Sequence, residues 1–159
     1  MRRKELIGRR VVDLETGTEV GIVRELIIDS SLRRMTGLLV EVPAAGGVAA
    51  LSLRSVFALE NDTVTIRSFQ DLQVPQGREV NGAKHLCRQL IGRRVLTPDG
   101  RECGVVEDLV VDPFSGDLAG YELSAGLISD ILEGRKMLPA GEITFLGRDV
   151  IITKPFDEL

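Results

Sequence analysis

One histidine, His85, and two cysteines, Cys87 and Cys103, are all the imidazole and thiol that the chain carries. A His-rich metal site is therefore excluded, and two cysteines lack both zinc-ligand spacing and the number that a disulfide framework needs. His85 falls in an irregular stretch and reads as a surface residue. Cys103 takes an inward position on an apolar strand, where a free cysteine behaves as a small hydrophobe. Cys87 lies just ahead of a second folded unit, a position that leaves exposure open. Asp108, Asp112 and Asp117 are too widely spaced for a calcium loop of the EF-hand type. Asp29 and Asp112 each end a long strand, and a carboxylate there accepts the backbone N–H groups of the following turn. Gly46 and Gly47 have no strand–loop–helix context, so no phosphate cradle is expected. Nothing converges on a nucleophile, a base or a metal. The expectation is a protein that is not an enzyme and holds no cofactor.

Recognition chemistry remains. Arg supplies 16 of the 20 basic residues, and its planar fork suits carboxylates and phosphates. The pairs Arg9-Arg10 and Arg93-Arg94 are candidate contacts for an acidic protein or RNA, with Arg33-Arg34 and Arg2-Arg3-Lys4 as lesser clusters. Against RNA stand a net charge of −4 and an aromatic stock of five Phe, one Tyr and no Trp, which gives no base-stacking platform. A second candidate is the loop from Gly126 to Gly134. Leu127, Ile128, Ile131 and Leu132 fall on one face of a short helix there, either as a lid on their own unit or as a docking face for a partner.

The frame that must position these residues is a folded one. In 159 residues, 43% are hydrophobic and 28% charged, a balance that supports a packed core. No apolar run approaches the length of a membrane span, and the charged start has no following apolar segment of the secretory kind. A soluble cytoplasmic protein with reduced thiols, without membrane insertion, is expected.

The chain repeats itself. Leu6-Ile7-Gly8-Arg9-Arg10-Val11 returns unaltered as Leu90-Ile91-Gly92-Arg93-Arg94-Val95. The match continues through Gly17 and Gly100, Gly21 and Gly104, Val23 and Val106, Leu26 and Leu109, Asp29 and Asp112, Gly37 and Gly120. Further on, Leu51-Ser52 aligns with Leu138-Pro139, and Asp62 with Asp149. Each copy alternates short apolar runs with turn residues, which predicts strands and an all-β fold. Gly21 and Gly104 lie inside long strands, as barrel bends require. The spacing gives a first barrel over residues 1–68, a Pro- and Gly-bearing linker over 69–85, and a second barrel over 86–159. A unit of this size buries only about 60% of its unfolded surface and is marginal alone, so the two are expected to pack together as a pseudo-dimer.

The frame Gly8-x-x-Val11-x-Asp13 … Gly17-x-x-x-Gly21-x-Val23 … Asp29, with its second copy, resembles the PRC-barrel family over nearly the whole chain. The family includes the cytoplasmic domain of the photosynthetic reaction-centre H subunit and the C-terminal domain of a ribosome maturation factor. The second copy departs in carrying Thr97 where the first has Asp13. The resemblance implies two small six-stranded β-barrels in tandem that dock on protein partners, without catalytic residues. The expected function is a non-enzymatic protein-binding or scaffolding module, its partner another protein or a second copy of the chain. An RNA- or ribosome-associated factor is the alternative.

Overall fold

The computed structural model describes residues 1–59, 61–73, 84–125 and 136–155. Alternation of apolar and polar side chains, cut by Gly- and Asp-containing turns, sets the strands. In the first copy they are β1 (Arg10–Asp13), β2 (Thr18–Asp29), β3 (Met35–Val42), β4 (Gly47–Ser52), β5 (Val56–Ala58) and β6 (Thr63–Ile66). Two short strands follow, β7 (Leu72–Gln73) and β8 (Lys84–Leu86). The second copy supplies β9 (Arg94–Leu96), β10 (Glu102–Val111), β11 (Leu118–Ser124), β12 (Lys136–Pro139), β13 (Ile143–Leu146) and β14 (Val150–Thr153). One helical turn, α1 (Arg3–Leu6), precedes β1.

The two sheets have one topology. The first runs β5-β6-β1-β2-β3-β4 and the second, read the same way, β13-β14-β9-β10-β11-β12. Pairing is antiparallel except for one parallel pair in each, β1 with β6 and β9 with β14. In both, a 3₁₀ turn (Leu53–Ser55, Ala140–Glu142) swings the chain from the fourth strand to the fifth, and the sheet coils into a barrel. The first barrel gains β7 beside β4 and β8 beside β2. Both ends of the stretch expected as linker therefore belong to its sheet, and His85 is a strand residue opposite Ile28.

Sheet curvature follows from close approach at the glycines. A Cβ on Gly21 would collide with the Glu41 carbonyl, and one on Gly104 would reach the Ser124 carbonyl at 3.0 Å. Gly104 also has φ +141°, a conformation few other residues adopt. The turn acids behave as their sequence positions predict. Asp29 Oδ1 accepts from the backbone N–H of Arg33 and Arg34, and Asp112 Oδ1 from Phe114 and Ser115. The departure at Thr97 is also accounted for. Asp13 accepts from the Glu15 amide at 2.8 Å and, at 3.3 Å, from the Phe69 amide that leads into β7. The second copy has no counterpart of β7 among its described residues, and Thr97 needs only to accept from Arg101 N at 3.0 Å.

The barrels pack on each other about a pseudo-twofold axis. By the repeat's own alignment, Met35 corresponds to Leu118 and Arg33 to Gly116. The Met35 amide donates to the Gly116 carbonyl at 2.7 Å, and the Leu118 amide to the Arg33 carbonyl at 2.8 Å. This is the reciprocal contact of an isologous dimer, made within one chain. The residues that precede each barrel cross to the other. Met1 exchanges two backbone hydrogen bonds with Val111 of β10, at 3.1 and 2.8 Å. The equivalent segment, β8, lies on β2. One contiguous apolar core results, in which Leu6, Leu32 and Met35 join Leu90, Leu118 and Tyr121.

Tyr121 is fully buried, and its hydroxyl donates to the Leu32 carbonyl across the junction at 2.6 Å. Tyr121→Phe should lower the unfolding free energy by about 1–3 kcal/mol, because it strands a buried carbonyl without removing the ring. Urea denaturation followed by circular dichroism measures this, and an unchanged midpoint would show that water reaches Leu32.

Candidate interaction surface

The four arginines singled out by sequence are engaged by groups of their own barrels, in matching ways. Arg9 follows α1, and its guanidinium donates to the carbonyls of Glu5, Leu59 and Asn61. Arg93 donates to the carbonyls of Gln89 (3.0 Å), Gly147 (3.2 Å) and Arg148 (2.7 Å). Each thus ties the start of its barrel to the turn between the last two strands. Arg10 pairs with Glu19 at 3.2 Å and Arg94 with Glu102 at 3.1 Å, exposed cross-strand pairs of little energetic weight. The segment with Leu127, Ile128, Ile131 and Leu132 lies outside the described residues.

A buried polar cluster occupies the junction. In both copies a β-bulge in the long strand, between Val23 and Glu25 and between Val106 and Asp108, turns a carboxylate inward. Glu25 meets Arg3 as a fork, with Nε–Oε1 2.8 Å and Nη2–Oε2 2.7 Å, and accepts from the Leu26 amide. At the equivalent place in the second copy, Asp108 accepts from the Leu109 amide at 2.8 Å, but the residue aligned with Arg3 is Cys87. The buried Asp108 Oδ2 has no hydrogen-bond partner among the described residues.

Cys87, whose exposure the sequence left open, is fully buried in the shared core, because the segment ahead of the second barrel is itself part of the junction. Burial pushes its thiol far up, and the negative field of Glu25 and Asp108 adds to that. Cys103 is buried as anticipated, and burial raises its thiol as well. Neither should react with a thiol reagent at about pH 8 in the folded protein, since the thiolate is the reactive species. Mass mapping after alkylation should find Cys87 modified only once denaturant is added. Rapid native labelling of Cys87 would contradict this.

Two of the exposed aromatics, Phe57 and Phe114, meet at one edge of the junction, while Phe69 and Phe145 are exposed elsewhere. Phe114, in the turn before β11, is 80% exposed, and Phe57, on β5 of the first barrel, 63%. Leu53, Val56, Phe57, Ala58 and Leu59 line one depression together with Pro113 and Phe114. Leu53 and Phe114 also line the adjoining one, which ends among Arg34, Arg54 and Ser115. The trough therefore has one wall from each barrel. Sequence reading passed over it because its residues are distant in the chain; the usable signal was Phe114, an aromatic side chain in a turn.

The pseudo-twofold mate of this edge is an internal control. There the repeat places Ser31 for Phe114, Ala140 for Leu53, Gly141 for Arg54 and Thr144 for Phe57. The mate edge keeps one exposed ring, Phe145 (56% exposed) at the Ala58 position, but has no counterpart of Phe114 or Arg54, so the fold requires neither of those two.

The chain also matches a known family. The PRC-barrel domain model matches twice, over residues 1–73 and 84–159. A search of curated proteins gave no match. Among the described residues no helix is long and apolar enough to cross a membrane. Two family matches covering nearly the whole sequence, each on a barrel of the same strand order, place this chain in the PRC-barrel family as a tandem member.

Proposed function

We propose that the chain is a non-enzymatic protein-binding module in which the barrel pair acts as a rigid scaffold. The observation that carries this reading is the trough on one edge of a pseudo-symmetric molecule, where Phe57 and Phe114 from the two barrels are exposed together, a pair that the opposite edge lacks. Large apolar side chains exposed together, and not needed by the fold, mark interaction sites more often than neutral surface. Arg9 and Arg93 are held by carbonyls of the barrels themselves, which weakens the RNA alternative at those two residues, whereas Arg10 and Arg94 sit in weak exposed pairs. A cytoplasmic setting belongs to the reading, as both cysteines are free.

Site-specific photo-crosslinking in cells tests it. A photoreactive residue at position 114 should give a discrete protein adduct, lost on Phe57→Ser, while the same probe at position 31 gives none. Adducts with RNA, or equal labelling from both edges, would overturn the proposal.

A further inference from the structure

The trough is chemically graded along its length. One end is apolar, bounded by Val56, Phe57, Leu59, Pro113 and Phe114. The other end is basic. Arg54 is exposed on the 3₁₀ turn after β4, with no acidic partner among the described residues, and Arg34 stands opposite. Arg34 Nη2 donates to the Ser115 carbonyl at 2.8 Å, and Arg34 contacts Asp117 at 3.4 Å. Both side chains of that ion pair are more than half exposed, so the pair is weak and open to exchange. Around this positive end the chain as a whole carries −4.

From this grading we infer that the trough receives an acidic peptide segment of a partner protein, with an aromatic or leucine anchor beside its acids. The inference rests on the protein-binding reading and narrows it. The anchor enters between Phe57 and Phe114, where aromatic rings offer large contact area at low conformational cost. The acids then meet Arg54, whose fork takes a carboxylate in two parallel hydrogen bonds, and compete with Asp117 for Arg34. A basic peptide would face Arg34 and Arg54 there, with Asp117 already paired to Arg34. The mate edge cannot serve, because the repeat places Gly141 and Glu142 there in place of Arg54 and Ser55.

Panning a random peptide library on the full chain tests the assignment. Enriched peptides should be acidic with an aromatic or leucine anchor, and their affinity should fall as salt is raised. Arg54→Glu should weaken them by about tenfold or more, as expected for loss of a charge-assisted contact and gain of a repulsion. Phe114→Ser should weaken them similarly while leaving the circular dichroism spectrum unchanged, because its ring is mostly in solvent. Panning repeated on Arg54→Glu should lose the acidic bias. Peptides that bind equally well to both variants would overturn the trough assignment and leave the protein-binding reading standing. Failure to enrich any peptide, together with salt-sensitive binding of a labelled oligouridylate, would overturn both.

Discussion

Arg3→Ala is expected to lower the unfolding free energy by about 3 kcal/mol, at the lower end of the 3–5 kcal/mol typical when one partner of a buried ion pair is removed. Glu25 is 2% exposed, and its two oxygens are met by the Arg3 fork and the Leu26 amide. Without Arg3, one carboxylate oxygen is left buried with no donor. The lower end applies because the Arg3 side chain is 21% exposed, so water recovers part of the loss. The sister site has no reserve, as Asp108 Oδ2 already lacks a partner among the described residues. Arg3→Lys should fall between, since a point charge cannot reproduce the fork. The double change Arg3→Met with Glu25→Leu should restore most of the stability, because the cost lies in the orphaned charge more than in the lost pair. Urea unfolding of the three variants checks this. A loss below about 0.5 kcal/mol in Arg3→Ala would show that the pair is solvated.

The repeated hexapeptide already held the explanation of its arginines. Arg9 and Arg93 are identical in two copies that have diverged elsewhere, so whatever they do must be common to both copies, and tying down a turn is common while a partner contact need not be. Strands and turns were legible because Gly, Asp and apolar alternation are local signals. The bulges at Glu25 and Asp108 were not, since a bulge moves a side chain from one face to the other without altering the alternation enough to be seen. The burial of Cys87 was not legible for a related reason. Its burial depends on an arm crossing to the other barrel, a contact between segments far apart in sequence. The trough is also non-local, assembled from a turn of one copy and the 3₁₀ turn and fifth strand of the other.

Cutting the chain between residues 73 and 84 should give two fragments that fold together as a 1:1 complex and not separately. Each fragment is of a size that buries only about 60% of its unfolded surface, and alone it would also expose its share of the common core. Self-association through the same twofold contact is disfavoured in both directions. A dimer of first halves would set Arg34 against Arg34, and one of second halves Asp117 against Asp117, where the intact chain has the Arg34–Asp117 pair. The charge pair itself adds little at an exposed site, but like charges directly opposed cost specificity where it matters. The buried hydrogen bond points the same way. A dimer of first halves would bring Leu38, the counterpart of Tyr121, to the Leu32 carbonyl and leave that carbonyl unpaired. A dimer of second halves would lack the Arg3–Glu25 fork and carry two Asp108 carboxylates whose Oδ2 has no partner among the described residues. Sedimentation and thermal unfolding of the fragments, singly and mixed, distinguish these outcomes. Cooperative unfolding of either fragment alone as a monomer would show that the barrels are independent domains and that the shared core is incidental to their stability.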